Sequence, residues 1–299
     1  TLEGTMFNDI QPLLDKFNQM NSSDLNPIII YHYAPPSAFL NIFKENKLWF
    51  SDRRFLNDQS EGINALDVLA KVLPTAIISE TLRQYLIEKC AQKKKNFSSD
   101  GLNFFVVSFS TDKDNLNLWN YYSKNNRLLG YNIGFEKNEL LAAYREPTAN
   151  VTPVKPIYGS VIYNDSEKYD FVKDIVEIMY SAGTGIHYEI VGDQILDRVV
   201  FSGCLFKHEA FKNELEYRIV IPWNPNWANN GTNVPEIKFR EKDGFFIPYM
   251  PIHFEIGRCV KNVTVSPTIN HDLAEVSLKM MFRKYPRIEI RHSSIPVRY

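Results

Sequence analysis

The stretch Asn103-Phe104-Phe105-Val106-Val107-Ser108-Phe109-Ser110-Thr111 carries the strongest strand signal in the chain. Aromatic and β-branched residues fill it, and a two-residue period puts Ser108 and Ser110 on one face and Val107 and Phe109 on the other. Two hydroxyls therefore point the same way from a single strand. Working outward toward the N-terminus, helical spacing of Phe7, Ile10, Leu13, Leu14 and Phe17 predicts a leading helix over 6–20. A strand over 28–33 follows, then Pro35-Pro36, a helix carrying Phe39, Leu40 and Phe43, and a short strand over 48–50. Helices are expected over 61–72 and 79–95, the second closing in Lys93-Lys94-Lys95, which reads as a solvated helix end where cations suit the dipole.

On the C-terminal side the pattern predicts a helix over 116–123, strands over 131–135 and from 151, and a helix over 167–180. Strands over 215–221, 236–239, 245–249 and 260–265, a helix over 271–284 and a closing strand over 288–291 complete it. No repeat or low-complexity tract interrupts the chain. The expected architecture is α+β, a mixed and largely antiparallel sheet with surrounding helices. Residues 1–27 read as an N-terminal helix and linker, and 28–299 as a single α+β catalytic unit.

Composition bounds the function. With 34 basic and 35 acidic residues the net charge is −1, so no global field draws the protein to nucleic acid or an anionic membrane, and any such contact needs a local patch. Three widely spaced cysteines (Cys90, Cys204, Cys259) do not support a disulfide framework or a four-thiolate zinc site, which points to a reducing compartment. Apolar runs such as 28–30 and 104–107 fall far short of the roughly 20 residues of a membrane helix, and no basic-then-apolar leader is read at the N-terminus. A cytoplasmic protein is expected.

Three constellations carry potential chemistry. Tyr31-His32-Tyr33 ends a strand just before a proline turn, with Arg53, Arg54, Asn57, Asp58 and Glu61 after the next strand. His32 reads either as a functional group or as a half-buried structural histidine, and the arginines either as anion ligands or as surface charges. The Ser108 and Ser110 strand is followed by Trp119 and Tyr122, spaced i and i+3 so that they share a helix face, as core or as a stacking platform. Lys207-His208 precedes Glu214-Leu215-Glu216-Tyr217-Arg218-Ile219. As a strand, this last segment projects two carboxylates and a guanidinium from one face. Like charges side by side raise each other's proton affinity unless cations or a substrate compensate.

Taken together, Tyr31-His32-Tyr33, Leu48-Trp49-Phe50-Ser51, Asn57-Asp58 with Glu61, Ser108-Phe109-Ser110, Trp119 with Tyr122, Gly130 with Ile133-Gly134-Phe135, Phe206-Lys207-His208, Glu214-Leu215-Glu216-Tyr217-Arg218 and Ser294-Ile295-Pro296 resemble the bacterial family called domain of unknown function 2971. The family pattern carries Pro after Asn-Asp and His before the Tyr of the Trp motif, where this chain has Gln59 and Tyr121. The motif order, an early histidine strand, a central Ser strand with aromatics and a late Glu-x-Glu strand, looks like that of NAD-dependent ADP-ribosyltransferases. That resemblance implies a fold of the same type and NAD as substrate. It makes Glu216 the catalytic carboxylate, Glu214 a general base toward the acceptor, and His32 a nucleotide ligand with Tyr33, Arg53, Asn57, Ser110, Trp119 and Tyr122 around it. The partner would be a macromolecular acceptor, nucleic acid or protein, with an antitoxin or regulator if the enzyme is a toxin or anti-phage effector. No Gly-x-Gly-x-x-Gly occurs to hold NAD in a dinucleotide fold.

Two alternatives stay open. In a metal-dependent nuclease Asp58, Glu61, Glu214 and Glu216 would gather magnesium, although Arg218 stands where such a strand offers Lys. The other is a non-catalytic module that binds a nucleotide or a partner. Trp223 and Trp227, in a Pro- and Asn-rich stretch, read either as base-stacking rings or as loop anchors.

Overall fold

In the computed structural model the described residues are 12–13, 15, 28–57, 63–96, 103–122, 128–145, 156–224, 236–242 and 244–297. Among the described residues ten strands form one open, largely antiparallel sheet: β1 (Ile29–Ala34), β2 (Lys47–Asp52), β3 (Asn103–Ser110), β4 (Tyr131–Glu136), β5 (Ile157–Ser160), β6 (Glu216–Trp223), β7 (Lys238–Lys242), β8 (Phe245–His253), β9 (Val260–Val265) and β10 (Glu289–His292). Only β9 and β10 pair in parallel. Of the expected leading helix, residues 12, 13 and 15 are helical, and the rest of 1–27 lies outside the described residues.

The opening stretch is the hub of this sheet. One edge of β3 pairs with β6 along its whole length, from Asn103 opposite Trp223 to Ser110 opposite Glu216. The other edge is divided: Ser110 faces Tyr31 of β1, while Val106 and Phe105 face Ser51 and Asp52 of β2. The sheet therefore forks at β3 into one arm of β1, β4, β9 and β10 and another of β2, β8 and β7.

Two cores lie on its two faces. Phe104, Val106, Ile157 and Val220 pack under a layer of four helices, α2 (Ile63–Val72), α3 (Glu80–Lys95), α6 (Asp165–Ala182) and α7 (Tyr188–Ser202). Phe105, Val107, Phe109, Tyr217 and Ile219 face the opposite way, against α1 (Pro36–Glu45), α5 (Lys137–Arg145) and α9 (His271–Met281). A third, small cluster of Tyr31, Tyr33 and Leu128 with Leu118 and Trp119 of α4 (Leu116–Tyr121) sits beyond the first core. One-turn α8 (Ile256–Cys259) leads into β9. Asparagines cap three helices through their side-chain carbonyls: Asn115, Asn164 and Asn270.

Three of the described helices were not expected from periodicity: α5, α7 and the one-turn α8. α7 is buried on nearly every side toward its C-terminal end, at Arg198, Val199, Val200, Phe201 and Ser202, so it shows no single apolar stripe. α5 is short and follows β4 with no intervening residue. The lysine run of α3 is less solvated than expected, since Lys93 pairs with Asp197 of α7 at 2.8 Å and Lys94 with Asp67 of α2 at 2.6 Å. The three cysteines are free and buried. Among the described residues no helix is long and apolar enough to cross a membrane.

The contact between α3 and α7 is set by Gly192. A Cβ built there would lie 2.6 and 2.7 Å from two ring carbons of Tyr85, whose hydroxyl is tied to Asp193 at 2.8 Å. Replacing an interior helical glycine by alanine ordinarily gains about 0.5–1 kcal/mol. Here the anchored ring must move, so Gly192→Ala is expected to destabilise by about 1–3 kcal/mol in denaturant unfolding. A variant as stable as the parent would show that Tyr85 does not fix this helix pair.

Candidate functional site

Strand β6 is entered through an unusual residue. Glu209–Glu214 form a 3-10 turn capped by His208, whose Nδ1 accepts from the Ala210 amide at 3.1 Å. Leu215 then takes φ 46° and ψ 51°, the left-handed region, which costs a non-glycine residue roughly 1–2 kcal/mol. Its side chain turns out to solvent, and Glu214 and Glu216 converge on one side. The expected strand alternation is thus corrected for Glu214, which belongs to the turn and not to β6. The two carboxylates meet because the backbone kinks.

They meet on Lys207. Its Nζ donates to Glu214 Oε2 at 2.8 Å and to Glu216 Oε2 at 3.1 Å. Arg218 grips Glu216 with two donors, Nε to Oε1 at 2.8 Å and Nη2 to Oε2 at 3.0 Å, and donates Nη1 to the Cys204 carbonyl at 2.7 Å. All four side chains are at most 5% exposed. Burial alone would push the Glu216 carboxyl up, but the Arg218 and Lys207 charges, with hydrogen bonds from Arg218 and Ser108, hold it at about 2. Two anions and two cations make a neutral cluster, so the like-charge repulsion read from the sequence is compensated inside the protein. One atom is left over: Glu214 Oε1 is buried with no hydrogen-bond partner.

Around the cluster, the Ser110 hydroxyl donates to the Glu214 carbonyl at 2.8 Å and accepts from the Asp112 amide at 3.0 Å. Tyr163 accepts the Glu216 amide at 3.0 Å, and its phenol is pushed up by burial and by the Glu216 charge. Lys207 also lies 4.7 Å from the Phe211 ring centre. Neither Tyr163 nor the role of Lys207 was expected. A residue seven to nine positions from its partners across a turn leaves no periodic signal.

The expected nucleotide ligands do not gather here. Tyr31 opposes Ser110, which opposes Glu216, so these three share a face, and His32 points to the other one. There its ring meets Phe109 edge-on at 5.7 Å, and Nδ1 donates to the Ser108 carbonyl at 2.9 Å. That carbonyl sits where the β3 edge passes from β1 to β2, so His32 satisfies the fork, and its place in the site is corrected. Tyr33 is on the site's face but buried, its hydroxyl donating to the Asp112 carbonyl and accepting the Asn115 amide, both at 2.9 Å. Arg53 is buried with its guanidinium 5.1 Å from the Phe104 ring, and Arg54 is held by Asp52. Asn57 is exposed, while Asp58 and Glu61 lie outside the described residues.

Trp119 is 1% exposed and packs edge-on against Tyr33 at 4.8 Å, so it is core and not a platform, whereas Tyr122 is 38% exposed. Trp119 Nε1 donates to Asp114 Oδ1 at 2.8 Å. Asp114 also takes the Ser293 hydroxyl and the Ser294 amide, each at 2.7 Å. Burial would raise the Asp114 carboxyl, yet these donors hold it below its ordinary value. Trp119 and Ser294, distant parts of one motif set, are joined by an aspartate that the sequence reading passed over. Trp223 packs edge-on near Phe105 at 6.3 Å, and Trp227 lies outside the described residues.

Residues 118–219 match the family model described as protein of unknown function (DUF2971). Over that segment the chain is similar to this family. No curated protein and no solved structure matches it. The matched segment contains the whole ionic cluster, Lys207, Glu214, Glu216 and Arg218, while His32, Ser108 and Ser110 fall outside it.

The placement of His32 gives a pH test. Burial lowers its pKa from 6.5, with the Ser108 bond opposing and the Arg240 charge adding to the shift. Between the folded and unfolded values the unfolded chain binds more protons, so the stabilisation is present above about pH 6.5 and is lost as pH falls below it. Melting curves from pH 8 to 5 are expected to show this loss in the parent and less of it in His32→Gln. Identical pH slopes would refute the structural role given to His32.

Proposed function

We propose that the protein is an NAD-dependent ADP-ribosyltransferase acting on a macromolecule, with the Glu214 and Glu216 pair as its carboxylate centre. The motif order suggested the activity, and one observation carries it further: beside Ser108 and Ser110 the pair presents a single buried carboxylate oxygen, Glu214 Oε1, that no protein donor satisfies. Buried acceptors are almost always paired, and an exception asks for a ligand. A ribose hydroxyl or a developing cation is a fitting one.

The geometry redistributes the roles. Both oxygens of Glu216 are committed to Arg218 and Lys207, which makes it the anchor of the site and not the reacting group. Glu214 is held through one oxygen only and keeps the other for substrate. As the bond from ribose C1′ to the nicotinamide nitrogen breaks, its electron pair leaves with the ring, and the Glu214 charge stabilises the oxocarbenium-like sugar. The acceptor's lone pair then closes on C1′, and its proton passes to Glu214 or to solvent. Lys207 holds and orients Glu214 through Oε2, while Tyr122, 38% exposed, is the ring assigned to stacking.

The metal-dependent alternative meets a direct obstacle. An ammonium, Lys207 Nζ, already bridges Glu214 and Glu216, the position in which a divalent ion would use both carboxylates. Among the described residues no group of three or more His, Cys, Asp or Glu is placed to hold a metal. An enzyme that consumes NAD on a macromolecule inside a cell needs control, so the setting we propose is a toxin or anti-phage effector restrained by an antitoxin or regulator.

Nicotinamide release by purified protein, with and without cell extract, tests the reading. Glu214→Gln is expected to cut turnover by about 10² to 10³ with little change in melting temperature, because Lys207 keeps Glu216 as partner. Glu216→Gln is expected to destabilise by about 3–5 kcal/mol, since it breaks a buried, doubly bonded ion pair. Parent protein that leaves NAD intact, or a Glu214→Gln variant as active as the parent, would overturn the proposal.

A further inference from the structure

The edge hairpin of β7 and β8 carries chemistry that the carboxylate site does not use. On β7, Lys238, Arg240 and Lys242 alternate with Phe239 and Glu241, so the three cations share one face and the strand's acid lies on the other. Glu241 turns back to accept the Gly244 amide at 3.0 Å. None of the three cations has a carboxylate partner among the described residues, in contrast to Lys93, Lys94, Lys168, Lys207 and Arg218, which all do. The stripe also lies on the face that bears Ser51, Ser108 and Glu216, because Lys238 opposes Tyr249, Tyr249 opposes Ser51, and Ser51 opposes Val106.

Arg240 is held in place. Its Nη2 donates to the Ser51 hydroxyl at 2.8 Å, and its guanidinium carbon lies 5.7 Å from the Trp49 ring centre. Trp49 in turn lies 4.5 Å from Tyr249 at a 31° tilt. Phe245, paired with Lys242, is 64% exposed, and Phe246 beside it is 73% exposed. A large exposed ring, Phe245, next to cations that have no carboxylate partner among the described residues is costly on the sheet edge of a free monomer and needs a use. Alternating residues on a strand are about 6.7 Å apart, so the cations form a row that a repeating anion can follow.

We infer that this face of the β7 and β8 hairpin binds single-stranded nucleic acid, with Lys238, Arg240 and Lys242 along the phosphates and Phe245 as a base-stacking ring. The argument is charge complementarity joined to aromatic platforms, the combination by which single strands are held without sequence readout. A duplex fits less well, because its bases are already stacked and leave the exposed rings unused. The inference does not depend on NAD chemistry. If both hold, the hairpin names the acceptor class, since the stripe and the carboxylate centre share one face of the sheet.

The test is fluorescence anisotropy of labelled twelve-residue oligothymidylate and oligouridylate with the intact protein and no NAD. Three phosphate contacts predict that log affinity falls against log salt with a slope of about −2, and that Arg240→Gln reduces its size by about 0.7. Lys238→Gln with Lys242→Gln is expected to weaken binding at least about tenfold, and Phe245→Ser by about tenfold. Phe239→Ser, on the opposite face, should leave binding unchanged. Melting temperatures of the surface variants should match the parent, and Arg240→Lys, which keeps the charge, should recover most of the affinity. Absent oligonucleotide binding, binding indifferent to the lysine pair, or sedimentation showing that the hairpin instead joins two copies of the chain would each overturn the inference. Nicotinamide release run in parallel separates this result from the fate of the transferase reading.

Discussion

Strand β3 serves three neighbours with two edges, and most of the molecule follows from how it does so. Giving its whole length to β6 leaves one edge to be divided between β1 and β2. A backbone carbonyl at such a division has no ladder partner, and leaving it buried and unpaired would cost about 1–3 kcal/mol. The His32 ring fills that place. The same division fixes the register, and the register decides which side chains look toward the helical layer and which toward the second core. Ser108, Ser110, Glu216 and Arg218 lie together because Phe109 and Tyr217 are claimed by the opposite core.

The buried ionic cluster is an expensive arrangement by ordinary standards. Taking four charges out of water is repaid only when geometry is good and each charge is neutralised close by, and an apolar replacement is often no less stable. Here the Arg218 fork and the Lys207 bridge meet the first demand for Glu216, while Glu214 is left short of one donor. Together with the left-handed Leu215 beside it, this puts a strained backbone and an unsatisfied acceptor within one residue of each other. Such coincidences mark positions at which stability yields to function.

Much of the frame was legible. Alternation along 103–110 and 260–265, the Pro35-Pro36 break and the helical spacing in 63–72 and 271–281 each encode their element locally. What could not be read has identifiable causes. α7 hides its period because both of its sides are buried. His32 was placed with Ser110 because alternation tells which residues of β1 share a face but not which face meets β3; only the pairing of Tyr31 with Ser110 settles that. Glu214 was put on a strand because nothing in a leucine announces a positive φ. The cations of β7 were not singled out, because alternation sorts them to one side only once the strand's bounds, Lys238–Lys242, are known.

The Asp114 node has a consequence for how the molecule is made. Its donors come from Trp119, five residues away, and from Ser293 and Ser294, some 180 residues away. A nascent chain acquires the first long before the second, so until then Asp114 is half satisfied and the small core of Tyr31, Tyr33 and Trp119 lacks Ile295 and Val297, which close over it. Contacts of such separation slow folding, because a long loop must be closed before they reward it. Completion of this corner is therefore postponed until residues 293–297 have left the ribosome.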